Sequence, residues 1–300
     1  FVGGLISLLF MLGFIIVDPN SGKTVLGIDP VLPFDAAEHQ HDRFVGPFSA
    51  LWLIVFSMPF FILTPDLGAS SSPSTSALKD GIEQLKQTFR ELGKYVNIVI
   101  FLIARMIYND GLTAIFTFGG IYATAIFQWS LIELGLFGII LIVVGAIGAY
   151  FGGKLDDRLG SKTLIMSCLV LLLLASIGIL SVDQNRILFV LEVSPRSEGA
   201  IPLSSTGELV YLAFACIVGL VGGPLQASSR TLLARLAPPD KLSEFFGLYA
   251  FSGKVTAFMA PFVVASVTSY YGDQRLGIAT VLIFLIVGFI MMLWVRSTSE

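Results

Sequence analysis

Arg105, Asn109, Asp110 and Lys254 are the residues of this 300-residue chain most able to do chemistry, because each interrupts a long apolar run. A charge placed among apolar residues of membrane-spanning length needs a partner or water. Arg105, Asn109, Thr113 and Thr117 follow one another at intervals of four, with Tyr108 beside them, so a helix here turns a polar stripe toward a cavity. Counted at ~1.5 Å per residue from Tyr95, Arg105 lies ~15 Å and Asp110 ~22 Å along that helix, which places Arg105 near the middle of a bilayer. Asp110 is ~140° from Arg105 around the axis, so each needs a partner on another helix. Lys254, in the run Tyr249-Ala250-Phe251-Ser252-Gly253-Lys254, is the expected partner of Asp110. Arg105, Asn109 and Lys254 suit contacts to a polar solute, and Asp110 suits proton carriage or charge pairing.

A second group of charges lies in Gly153-Lys154-Leu155-Asp156-Asp157-Arg158-Leu159-Gly160-Ser161-Lys162, between two apolar runs. Five charges and two glycines in ten residues predict an aqueous turn between two spans. Asp157 and Arg158 offer a carboxylate and a guanidinium for charge-assisted bonds to neighbouring helix ends, which makes a latch rather than a catalyst. His39 and His41 sit beside carboxylates in a polar loop without a third ligand at metal-site spacing, so no metal site is expected. No G-x-S-x-G, H-E-x-x-H or P-loop pattern occurs, and no cofactor or enzymatic activity is expected. Cys168 and Cys216 lie in apolar runs and read as packing residues.

The elements that must hold these residues follow from composition. Hydrophobic residues make up 55% and charged residues 13% of the chain, with 25 phenylalanines, so its main solvent is lipid. The net charge of -3 gives no reason to expect a nucleic-acid partner. Eight apolar segments approach the ~20 residues of a membrane span. They are Val2–Val17, Pro47–Leu63, Tyr95–Phe118, Leu131–Phe151, Thr163–Leu180, Leu209–Leu225, Phe245–Tyr270 and Leu276–Val295. Gly222-Gly223-Pro224 and Pro261 predict kinks. Between the second and third segments, a Pro/Ser-rich stretch leads into an amphipathic pattern at Leu78, Ile82, Leu85, Phe89 and Leu92. Most basic residues fall on the side of the Gly153 loop, which makes that side cytoplasmic. Phe1 opens directly on an apolar run, as expected of a chain preceded by further spans.

The charged loop, as Gly153, Leu155, Asp157, Arg158, Gly160 and Lys162, resembles the short cytoplasmic motif of the major facilitator superfamily, with Ser161 where the family often has a second basic residue. The runs from Gly222 to Arg230 and from Glu244 to Tyr249, with Tyr108-Asn109-Asp110-Gly111, resemble its vacuole effluxer-like branch, that of the autophagy-related amino-acid effluxer. This resemblance implies an all-α membrane protein with eight spans: residues 1–64 as the last two helices of an N-terminal bundle, 65–94 as a cytoplasmic linker, and 95–300 as a C-terminal six-helix bundle. It also implies secondary active transport of small solutes by alternating access, with amino-acid efflux and proton coupling, in a bacterial inner membrane. The partners expected are lipid, a small solute and protons. A non-transporting sensor or scaffold with the same fold is the alternative, since fold does not dictate function.

Overall fold

In the computed structural model, residues 2–17, 22–32, 34, 40–64, 92–196 and 203–296 are described. The stretch read as an amphipathic helix, up to Glu91, and the side chains of His39 and His41 lie outside them. The regular elements among the described residues are helices and one small hairpin, with an isolated antiparallel bridge between Val17 and Thr24. In order, the helices are α1 (Val2–Phe14), α2 (Gln40–Leu63), α3 (Val96–Phe127), α4 (Leu131–Leu159) and α5 (Ser161–Leu180), followed by α6 (Thr206–Leu236), α7 (Leu242–Val255), α8 (Met259–Tyr271), α9 (Gln274–Ala279) and α10 (Val281–Trp294). Strands β1 (Arg186–Ile187) and β2 (Leu191–Glu192) pair antiparallel between α5 and α6.

Seven stretches among the described residues are long and apolar enough to cross a membrane. The eighth expected span forms α1, whose 13 residues reach only ~20 Å. The second begins earlier than expected, at Gln40, and carries Pro47 and Pro59 inside the helix. The third runs on through Gly119-Gly120 to Phe127, 32 residues in all, so its centre falls at Gly111–Leu112. Asp110, rather than Arg105, therefore lies at the middle of the helix.

The chain divides into two compact units. The first comprises residues 1–86 and 130–139 and packs Met11, Leu12, Ile15 and Ile16 of α1 and the following turn against Phe48 of α2. The second comprises residues 87–129 and 140–300. In it α5 packs along α6, and α10 packs along α3 and α5. Gly288 lets α10 approach α3 closely, since a Cβ there would lie 2.6 Å from Tyr108 Cβ and 3.1 Å from the Tyr108 backbone. The segment around Pro261 is divided completely: α7 ends at Val255 and α8 starts at Met259, with Pro261 in its first turn. By contrast, α6 continues through Pro224 without interruption.

Candidate functional site

The site is built where α3, α6 and α7 meet. Tyr108 and Asp110 are each 2% exposed, and at two residues' spacing they face nearly opposite sides of α3, so the helix is packed on both. The Ser229 hydroxyl donates to Leu225 O at 2.5 Å, so in the 2.7 Å contact between Tyr108 Oη and Ser229 Oγ the phenol is the donor. That contact joins the middle of α3 to α6 through buried polar atoms. Asp110 Oδ1 is buried without a hydrogen-bond partner. Its polar neighbour is the Thr256 hydroxyl, beyond the end of α7, and Thr256 Oγ1 is likewise buried without a completed hydrogen bond.

Arg105 is directed elsewhere. Its Nη1 donates to Tyr249 O at 2.8 Å, and its guanidinium lies 3.8 Å above the Tyr249 ring. Gly253 makes room for it, because a Cβ there would come within 2.3 Å of Nη1. The guanidinium is thereby fixed in position by one bond and one ring face, while most of its donors remain for other partners. Asn109 is half-buried beside this arrangement, whereas Thr113 and Thr117 are exposed. Lys254 is exposed in the last turn of α7. Among the described residues no ion pair joins it to Asp110, whose charged neighbour is Arg105. Arg105 is thus held against α7 and acts on Asp110 through its charge, Asn109 lies one turn from Arg105 on α3, and among the described residues the expected Asp110–Lys254 pair is not formed.

The Gly153 motif also differs in form from the expected turn. Helix α4 continues to Leu159, and the connection to α5 is the single residue Gly160, with φ +80°. That left-handed conformation suits glycine. Gly153, Asp157 and Arg158 are exposed, while the neighbouring Asp156 is 7% exposed and points inward. Lys162 Nζ reaches Leu293 O at 3.3 Å, tying the start of α5 to the end of α10. At this same end, Asn97 and Arg296 exchange two hydrogen bonds of 2.7 Å.

At the opposite end, a network absent from the sequence reading surrounds Glu208, which is 0% exposed. Its Oε1 accepts from Trp129 Nε1 at 2.8 Å and lies 3.5 Å from Arg196 Nη1. Its Oε2 accepts from the backbone N–H and hydroxyl of Ser205 at 3.0 and 2.9 Å, completing a capping box at the start of α6. Tyr211 donates to Gly119 O at 2.7 Å, and its ring packs edge-on to Trp129. The spacing Ser205-x-x-Glu208 is a capping-box signal readable from sequence. Nothing local pointed to Trp129.

Residues 8–299 match the family described as "Vacuole effluxer Atg22 like". The chain belongs to this family. Among curated relatives, "Autophagy-related protein 22" of Cryptococcus neoformans var. neoformans serotype D (strain B-3501A) is 27% identical over 248 residues, 80% of this chain and 43% of that protein. The "Uncharacterized MFS-type transporter YxiO" of Bacillus subtilis (strain 168) is 24% identical over 228 residues, 74% of this chain and 46% of that protein. The chain therefore spans less than half the length of these two relatives. A crystal structure of a D-xylose-proton symporter superposes with a TM-score of 0.50 at 17% identity, over 68% of this chain and 49% of that one. The Atg22-like chain thus has the fold of a major facilitator transporter rather than of an enzyme, and is an integral membrane protein.

Proposed function

We infer that this chain is the solute-handling part of a secondary active transporter of small solutes that works by alternating access, exporting neutral amino acids, with Asp110 as its coupling carboxyl. The observation that carries this reading is a buried carboxylate at the middle of α3 with no ion pair among the described residues, beside a broken helix and a positioned guanidinium. An ionised carboxylate buried in that state is unfavourable, so the group is poised to take a proton and release it when its surroundings change. Arg105 supplies the positive end of a solute contact, Asn109 supplies a neutral donor and acceptor, and exposed Lys254, midway along the Pro239–Tyr271 span, supplies a second positive group. Asp157 and Arg158, exposed at the Gly160 end, are the latch that engages when the other half of the transport cycle brings a helix end to them. The family description supports efflux, the amino-acid class follows from the resemblance drawn from the sequence, and the D-xylose-proton symporter of like fold supports coupling to protons.

The test is counterflow of labelled neutral amino acids into proteoliposomes holding the full chain, with equilibrium binding measured in parallel. Saturable binding and counterflow are expected, both weakened by Arg105→Gln, with counterflow losing its pH dependence in Asp110→Asn. Absence of both binding and counterflow in the folded chain overturns the reading.

A further inference from the structure

We propose that the apolar tip of the β1–β2 hairpin, Leu188 to Leu191, is a lipid-seated anchor, held at the boundary between phospholipid headgroups and acyl chains on the side away from Gly160. The contact lies outside the transport site and does not rest on which solute is carried. All four tip residues are at least 50% exposed. At the base of the hairpin the pair Arg186 and Glu192 is charged and also exposed, 4.0 Å apart. A hairpin standing in water carries its polar residues at the turn, whereas here the turn is the apolar part. Its conformation adds to the anomaly. Val190 N–H closes the turn on Ile187 O at 3.3 Å, and the two residues between, Leu188 and Phe189, have φ of +52° and +65°. A hairpin turn with positive φ at both central residues favours Asn and Gly, so bulky apolar side chains are kept there against the preference of the backbone.

Hydrogen bonds fix where that tip lies. Helix α5 has 20 residues and spans ~30 Å, the thickness of the hydrocarbon core, so Leu180 ends it at the boundary. The hairpin folds back on this end: Phe189 N–H donates to Ser181 O at 3.2 Å, one residue past the helix. Arg275, at the start of α9, donates from Nε to Leu180 O at 2.6 Å and sets its guanidinium 5.4 Å from the centre of the Phe189 ring. The tip is thereby tied to the last residues of the span, at the depth where that span leaves the hydrocarbon.

The occupant follows from the surface that the tip continues. Val170, Leu174 and Ile177 form an exposed apolar stripe along α5, at intervals of four and three, and the next position on it is Ser181, which holds Phe189. On a helix of membrane-spanning length and composition, such a stripe faces lipid. An exposed apolar patch rimmed by polar residues marks a protein or a membrane contact, and one that continues a lipid-facing helix at interfacial depth is a membrane contact. The tip residues dip below the headgroups, while Arg186 and Glu192 stay in water.

The experiment places a nitroxide on Val190→Cys in the full chain, with Cys168→Ala and Cys216→Ala removing the native thiols, in phosphatidylcholine liposomes. Collisions with oxygen, which dissolves in the acyl region, are compared with collisions with a water-soluble nickel chelate. Labels on Leu174→Cys, in the α5 stripe, and on Glu192→Cys, at the charged base, give the lipid and water references. The Val190→Cys label is expected to favour oxygen several-fold more than the Glu192→Cys label does and to approach the Leu174→Cys ratio. Nickel accessibility equal to that of Glu192→Cys overturns the anchor. Shielding from both reagents would mean that protein covers the tip, from another part of the transporter or from a second copy, and overturns it equally. Should Val190→Cys fail to fold, judged by gel filtration in detergent, Leu191→Cys on the same exposed tip decides by the same ratios.

Discussion

Tyr108 and Ser229 are unequal partners, and the inequality can be measured. Ser229 already donates to Leu225 O, so Tyr108→Phe removes a donor and leaves the serine bonded. Loss of that one neutral bond should destabilise by about 1 kcal/mol. Ser229→Ala instead leaves a buried phenol without its acceptor, a loss of about 1–3 kcal/mol. Thermal unfolding in detergent should therefore show a larger drop for Ser229→Ala, and the reverse order would contradict the donor assignment. Gly253 gives a second residue-scale outcome. An added methyl meets only the far end of a flexible arginine, so Gly253→Ala should fold with a melting point near wild type. It should nonetheless displace Arg105 from Tyr249 and weaken solute binding, as expected for Arg105→Gln. Wild-type binding in Gly253→Ala would show that the Tyr249 contact does not position the guanidinium.

Between elements, close packing and capping decide the outcome. Gly148 and Gly152 on α4 meet α6 directly: a Cβ at Gly148 would fall 1.9 Å from Leu220 O, and one at Gly152 would fall 2.4 Å from Pro224 Cγ. Gly153, one residue on, has nothing within 4 Å. Gly148→Ala should therefore abolish folded protein in membranes, because backbone cannot yield as a side chain does, while Gly153→Ala should express normally. Comparable expression of the two would refute the α4–α6 contact. At the other end of α6, Glu208→Gln keeps the shape but removes the charge that Arg196 and the Ser205 cap face, and should cost about 1.5–3 kcal/mol. A double-mutant cycle with Trp129→Phe should be non-additive, since both residues share one network. The capping half of this network was legible in the spacing of Ser205 and Glu208, whereas the indole was not, because Trp129 and Glu208 are 79 residues apart. The helix break was half legible. Pro261 has no N–H for the carbonyl of Ala257 and its ring crowds that group, so disruption belongs one turn before the proline, where the chain breaks. Full separation into α7 and α8 depends on how Thr256 to Phe258 pack against their neighbours, which apolar periodicity does not encode.

For the whole molecule, the charged motif at the Gly160 end should be thermodynamically quiet in the isolated chain. Asp157 is exposed, so Asp157→Asn should change stability by no more than about 0.5 kcal/mol. Asp156 is 7% exposed, and its Oδ1 has no hydrogen-bond partner, so Asp156→Asn should leave the melting temperature unchanged or raise it. A large loss in Asp157→Asn would mean that its carboxylate is held within this chain. Among the described residues, the spans made of one unbroken helix also differ in length, from 20 residues in α5 to 32 in α3. At ~1.5 Å per residue these are ~30 Å and ~48 Å, against a hydrocarbon core of ~30 Å. The long helix has turns to spare at either face, and α5 has none. Lengthening the acyl chains of the surrounding lipid would thus strand the ends of α5 first, at Ser161 and Leu180, so the shortest unbroken helix sets how thick a membrane this protein tolerates.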